Sequence, residues 1–114
     1  MTNVDKEKVV DYLRELADVE YQRTVWFASS GEVSSLVEAT CNLFDDSGLA
    51  IAFERGEIVF SLEIDALLRK LSEALNLVDG YQQPKKIIMD PAMIPVRKLA
   101  GDILYSLFLK GTSR

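Results

Sequence analysis

Ser61-Leu62-Glu63-Ile64-Asp65-Ala66-Leu67-Leu68-Arg69-Lys70-Leu71-Ser72-Glu73-Ala74-Leu75 decides the fold class. It sets Ile64, Leu67, Leu68, Leu71 and Leu75 at i, i+3, i+4, i+7 and i+11. That spacing lays an apolar stripe along one side of an α-helix, and a strand of period two cannot reproduce it. Ser61 stands where an N-cap belongs. Glu63 and Asp65 fall in the first turn, where carboxylates suit the positive end of the helix dipole. Asp79-Gly80 reads as the close of this helix, and Tyr81 to Lys86, with Pro84 inside it, as a loop.

Toward the C-terminus, Asp90-Pro91 has the form of an N-cap followed by a first-turn proline. Pro95 then allows two arrangements. A short turn covers Asp90 to Ile94 and the last helix starts at Pro95, or Pro95 falls within a tolerant first turn or kinks the helix. Val96, Leu99, Ala100, Ile103, Leu104, Leu107 and Phe108 supply its stripe.

Toward the N-terminus, a short helix is expected from Gly48 to Arg55, opened by Asp45-Asp46-Ser47-Gly48 and ended by Gly56. Ser29 and Glu32 form a capping box for a helix starting near Ser30, with Val33, Leu36, Val37, Thr40, Cys41 and Phe44 as its apolar face. Residues 1–20 read as an amphipathic helix capped by Thr2 or Asn3, burying Val9, Leu13, Leu16 and Ala17, with its charges on a solvated face. The bulky run Thr24 to Ala28 is either the buried end of that helix or a short strand. The expected fold is therefore mainly α: a compact irregular bundle of four main helices plus one short helix, in a single domain over residues 1–114. At most it adds a vestigial two-strand ribbon from Thr24–Phe27 and Ile58–Phe60.

Composition narrows the function. At 114 residues with 48% hydrophobic and 27% charged residues, the chain has the make-up of a folded globule. The lone cysteine, Cys41, forbids an intrachain disulfide and points to a reducing compartment. No leader-like segment and no apolar run long enough for a bilayer are visible, so a cytoplasmic protein without a membrane role is expected. A pI near 4.7 argues against nucleic acid, because phosphate binding needs clustered Lys and Arg.

There is no histidine. Histidine triads, histidine-ligated zinc and a histidine general base are thereby excluded. Gly48 and Gly56 stand alone, so no phosphate cradle exists. Cys41, grouped with Val37, Thr40 and Phe44, reads as a buried, inert thiol. Asp45-Asp46-Ser47-Gly48 lacks the alternating ligands and closing glutamate of a calcium loop. No catalytic residue, metal ligand or cofactor is assigned.

What remains is charge. Between Thr24 and Leu68 lie Glu32, Glu38, Asp45, Asp46, Glu54, Glu57, Glu63 and Asp65, against the single cation Arg55, whereas the rest of the chain is slightly basic. Self-repulsion of this kind invites a basic partner. Glu32, Asp45, Asp46, Glu54, Glu57, Glu63 and Asp65 are taken as the binding patch, with Trp26, or its neighbour Phe27, as an aromatic anchor. In size, acidity, helicity and lack of catalytic machinery the chain resembles immunity proteins, small acidic proteins that neutralise basic toxins in bacterial competition. The resemblance implies a non-enzymatic, protein-binding role against a basic toxin domain. Two other readings stand beside it. One is an oligomerising structural or regulatory subunit, such as a homodimer joined through the apolar last helix. The other is a carboxylate-dependent metal-binding protein.

Overall fold

Asp5, rather than Thr2 or Asn3, starts the first helix, because its carboxylate accepts the Lys8 amide at 3.1 Å. The computed structural model describes residues 2–26 and 35–112. Helix α1 (Lys6–Ala17) buries Val9, Leu13 and Leu16. It stops three residues earlier than its stripe suggests, since Asp18 leaves helical geometry and caps a new turn by accepting the Tyr21 amide at 3.1 Å. That turn, α2 (Val19–Tyr21), runs directly into a π-helical turn, Gln22–Trp26.

The π turn replaces the strand considered for Thr24–Phe27 as far as Trp26; Phe27 lies outside the described residues, as do Ser29, Glu32 and the capping box they form. Helix α3 (Ser35–Cys41) likewise continues into a π-helical turn, Asn42–Asp46. Its buried residues are Leu36 and Ala39, followed by Leu43 and Phe44. This phase differs from the expected one, and Cys41 is consequently exposed, not buried.

Ser47 and Gly48 then turn the chain. Gly48 takes φ +87° and its Cα lies against the first residues, where an added Cβ would stand 3.3 Å from the Asn3 carbonyl. Helix α4 (Leu49–Glu54) follows and closes before Gly56, as its punctuation predicted. Ile58–Phe60 forms no strand, and no strand occurs among the described residues. The ribbon is therefore withdrawn. These three residues bend instead into the start of α5 (Leu62–Asn76), whose Asp65 carboxylate accepts the amides of Val59 at 2.8 Å and Phe60 at 3.1 Å. Ser61 caps α5 as expected, accepting the Ile64 amide at 3.1 Å.

Helix α5 ends at Asn76, before Asp79-Gly80, and the segment read as a loop contains α6 (Pro84–Met89) with Pro84 in its first turn. Asp90 makes the bend to α7 (Met93–Thr112), accepting the Ala92 amide at 2.9 Å and the Gln82 side-chain amide at 2.9 Å. Pro95 sits in the first turn of α7, where its missing N–H has no intrahelical acceptor to lose.

The fold is mainly α, an irregular arrangement of seven helices among the described residues. Helix α7 packs against both α1 and α5. Leu13, Leu16, Trp26, Leu43, Leu49, Leu68, Leu71, Ile87, Val96 and Ile103 meet in one core. Through it runs a polar pin. Gln22, fully buried, donates its amide to the Glu15 and Leu16 carbonyls at 3.0 and 2.9 Å, and accepts Arg97 Nε at 3.1 Å. Arg97 also donates to the Ile88 carbonyl at 2.7 Å, so one network ties α1, α6 and α7 together. Among the described residues, no helix is long and apolar enough to cross a membrane.

Candidate functional site

On α1, Asp11 and Glu15 stand one turn apart on a shared face, and Asp18, just past the end of the helix, lines the same groove with Tyr12 beside them. Like charges at this spacing oppose helix formation, yet here they are concentrated. The cause lies partly underneath. Trp26 is 1% exposed, and a buried indole N–H needs an acceptor; it donates to Glu15 Oε1 at 2.7 Å. Glu15 is thus drawn half under the surface to satisfy the core.

Burial raises the Glu15 carboxyl above its ordinary range; the Trp26 hydrogen bond partly opposes this and the Glu38 charge adds to it. Tyr12 is raised as well, first by burial and then by Glu15, Glu38, Asp46 and Asp11. Tyr21 is raised by burial, Glu15 and Tyr12. Glu38 of α3 lines one hollow with Tyr12, Glu15 and Tyr21, and the charge of Asp46 in the following π turn is felt at Tyr12.

A groove of about 330 Å³ lined by Asp11, Tyr12, Arg14, Glu15, Asp18 and Tyr21 opens here. An adjoining hollow of about 250 Å³ reaches over Trp26, Ser35 and Glu38. Arg14, the one base in the groove lining, lies 5.7 Å from the Phe108 ring centroid. Among the described residues the ion pairs are Arg23 with Glu20 and Lys98 with Asp102, and neither touches this cluster. The groove therefore offers carboxylate acceptors, neutral phenol hydroxyls and aromatic faces. All three suit an incoming cation.

The patch chosen from sequence does not stay together. Asp46 acts on Tyr12 through its charge but lines neither tyrosine groove. Asp45 and Glu54 line a separate groove with Glu73 and Arg69. Glu57 is engaged by the N-terminal segment, accepting the Thr2 amide and hydroxyl at 2.6 Å each. Glu63 is exposed in the first turn of α5. Glu32 lies outside the described residues.

Two members are corrected. Asp65 is 2% exposed and holds the 59–60 bend through two backbone amides, so it is internal scaffolding and not patch. Trp26 is core, with its indole nitrogen committed to Glu15, so it cannot anchor a partner in this conformation.

Tyr12, Tyr21, Asp11, Glu15 and Asp18 do not stand out in the sequence, because the first helix mixes these acids with Lys6, Lys8 and Arg14. The signal was present in the i, i+4, i+7 spacing of its acids. No group of three or more Cys, Asp or Glu among the described residues is placed to hold a metal ion. No family model matches the chain, and neither a curated protein nor a solved structure matches it.

Proposed function

We propose that the chain is a non-enzymatic binding protein that receives a basic protein partner on the face built by α1, α2 and α3. The observation that carries the reading is the gathering of Asp11, Glu15 and Asp18 beside Tyr12 and Tyr21 in one groove and of Glu38 in the adjoining hollow, with no ion pair to them among the described residues. A surface of this kind speeds association with a positive partner and excludes negative ones. Tyr12 and Tyr21 supply rigid aromatic area of the sort that dominates interface energetics. Neutralisation of a basic toxin domain in the bacterial cytoplasm, as immunity proteins do, is the specific form of this role that we favour.

The test compares wild type with Asp18→Lys/Glu38→Lys as bait in the native host. The expected result is a strongly basic protein retained by wild type, released by salt, and lost with the double variant. Identical retention by both baits would refute the assignment of this face.

A second reading has its own observation. The end of α7 exposes Tyr105, Phe108 and Leu109 at 67%, 55% and 50%. A homodimer built on that end would scatter light at twice the monomer mass at micromolar concentration, and a monomer at all concentrations would remove it.

A further inference from the structure

The groove lined by Asp45 has a composition of its own. It encloses about 500 Å³ between the end of α3, α4 and the middle of α5. Phe44, Ala50 and Phe53 make its lining largely apolar, and Asp45, Glu54 and Glu73 add carboxylates to it. No ion pair among the described residues involves these three. The lone cation in the lining, Arg69, lies with its guanidinium carbon 4.4 Å from the Phe53 ring centroid. The groove thus already holds a guanidinium on its aromatic surface, supplied by its own chain.

We propose that this groove receives a basic amphipathic helix of the partner protein, an inference that rests on the reading of the chain as a receiver of basic proteins. Charge complementarity names the occupant's sign: lysine or arginine toward Asp45, Glu54 and Glu73, apolar side chains onto Phe44, Ala50 and Phe53. The walls name its conformation. They are helices whose backbone groups are bonded internally, so an extended strand would find no ladder to join. A helix satisfies its own backbone and presents apolar residues at i, i+3, i+4 and i+7. An arginine of the partner would compete with Arg69 for the face of Phe53.

The chain carries its own reporter, since Cys41 is its single cysteine, is exposed, and lines this groove. The probe is a synthetic leucine–lysine peptide of about 14 residues with leucines at helical spacing, beside a scrambled peptide and a leucine–glutamate counterpart. Binding is read by anisotropy and occupancy by the rate at which iodoacetamide alkylates Cys41.

The leucine–lysine peptide is expected to bind and to slow Cys41 alkylation about tenfold, and Glu54→Gln/Glu73→Gln to weaken it by roughly tenfold. Arg69→Ala should tighten binding several-fold, whereas Lys70→Ala, equal in charge change but outside the lining, should not. Binding that leaves Cys41 unprotected and is lost with Asp11→Asn/Asp18→Asn overturns the groove while leaving the tyrosine face standing. Equal binding of the scrambled peptide overturns the helical occupant. No binding of any basic peptide removes both.

Discussion

Replacing Gln22 with leucine fills the site with an apolar side chain of similar length and deletes every polar contact of a fully buried amide. Gln22 caps the end of α1 from the side, because its Nε2 donates to the Glu15 and Leu16 carbonyls that α1 can no longer satisfy after Asp18 breaks it. In the variant the Leu16 carbonyl loses its partner within the core, the Glu15 carbonyl loses one nearer the surface, and Arg97 Nε loses an acceptor. An unsatisfied buried group costs about 1–3 kcal/mol, and the apolar side chain returns part of this through burial, leaving a net loss of roughly 2–3 kcal/mol.

At about 2.1 cal/mol/K of unfolding entropy per residue, a chain of this length loses roughly 4 °C per kcal/mol, so Tm should fall by about 8–12 °C. Circular dichroism melts, with urea titrations at constant slope, measure this. Arg97→Met leaves both α1 carbonyls capped but orphans Gln22 Oε1 and the Ile88 carbonyl, so it should cost a comparable amount; Gln22→Glu, when ionised, supplies no donor and should cost at least as much as leucine. A Gln22→Leu variant melting within about 2 °C of wild type would refute the view that the π turn is held by this amide.

Asp65→Asn offers one acceptor where two backbone amides are aimed, so a loss of about 1–3 kcal/mol is expected, with faster hydrogen exchange confined to Val59 and Phe60. Unchanged exchange at both amides would contradict this. Glu57 is held below its ordinary value of 4.5, chiefly by the Thr2 hydroxyl and then by the Thr2 amide. Its contribution is therefore present above that value and lost as pH falls through the depressed one, so the stability gap between wild type and Glu57→Gln should narrow only in acid. A gap independent of pH would remove the linkage. Glu15 has the opposite sign: raised by burial, its native state favours the proton, and that advantage disappears as pH rises through the raised value. Glu15→Gln retains an acceptor for Trp26, so it should be at least as stable as wild type at neutral pH, with the difference vanishing below the ordinary carboxyl range. A neutral-pH loss measured by urea midpoint would count against burial as the cause.

The parts of the fold legible in sequence were those written in long period. The stripe from Ile64 to Leu75 and the one from Val96 to Leu107 are local patterns that packing bears out, although Phe108, expected at the end of the second, is exposed; Ser61 and Gly48 act through chemistry within a few residues. What escaped was decided by registers that periodicity assumes constant. The π turns at Gln22–Trp26 and Asn42–Asp46 interrupt the regular register, and α3 buries Leu36 and Ala39 in a phase that leaves Cys41 at the surface. Helix α6 hid behind Pro84, which begins a helix as readily as it marks a loop. For the site, contiguity along the chain was a poor proxy for contiguity in space. Asp45 lines the groove by α4 and α5 while its neighbour Asp46 acts on Tyr12, and Asp11 and Glu38, 27 positions apart, act on that same tyrosine. Asp65 shows the remaining failure, since an acid in a first turn looks the same whether it faces water or the bend before it.

Because α7 is the surface on which α1 and α5 both close, assembly waits for the portion of the polypeptide synthesised last among the described helices. Until it emerges from the ribosome, Leu13, Leu16, Leu68 and Leu71 have no lasting cover, and the nascent chain presents two greasy flanks at once. Closure is in this sense all-or-none, and a product truncated before α7 would be a substrate for chaperones or proteases, not a smaller working version of the whole.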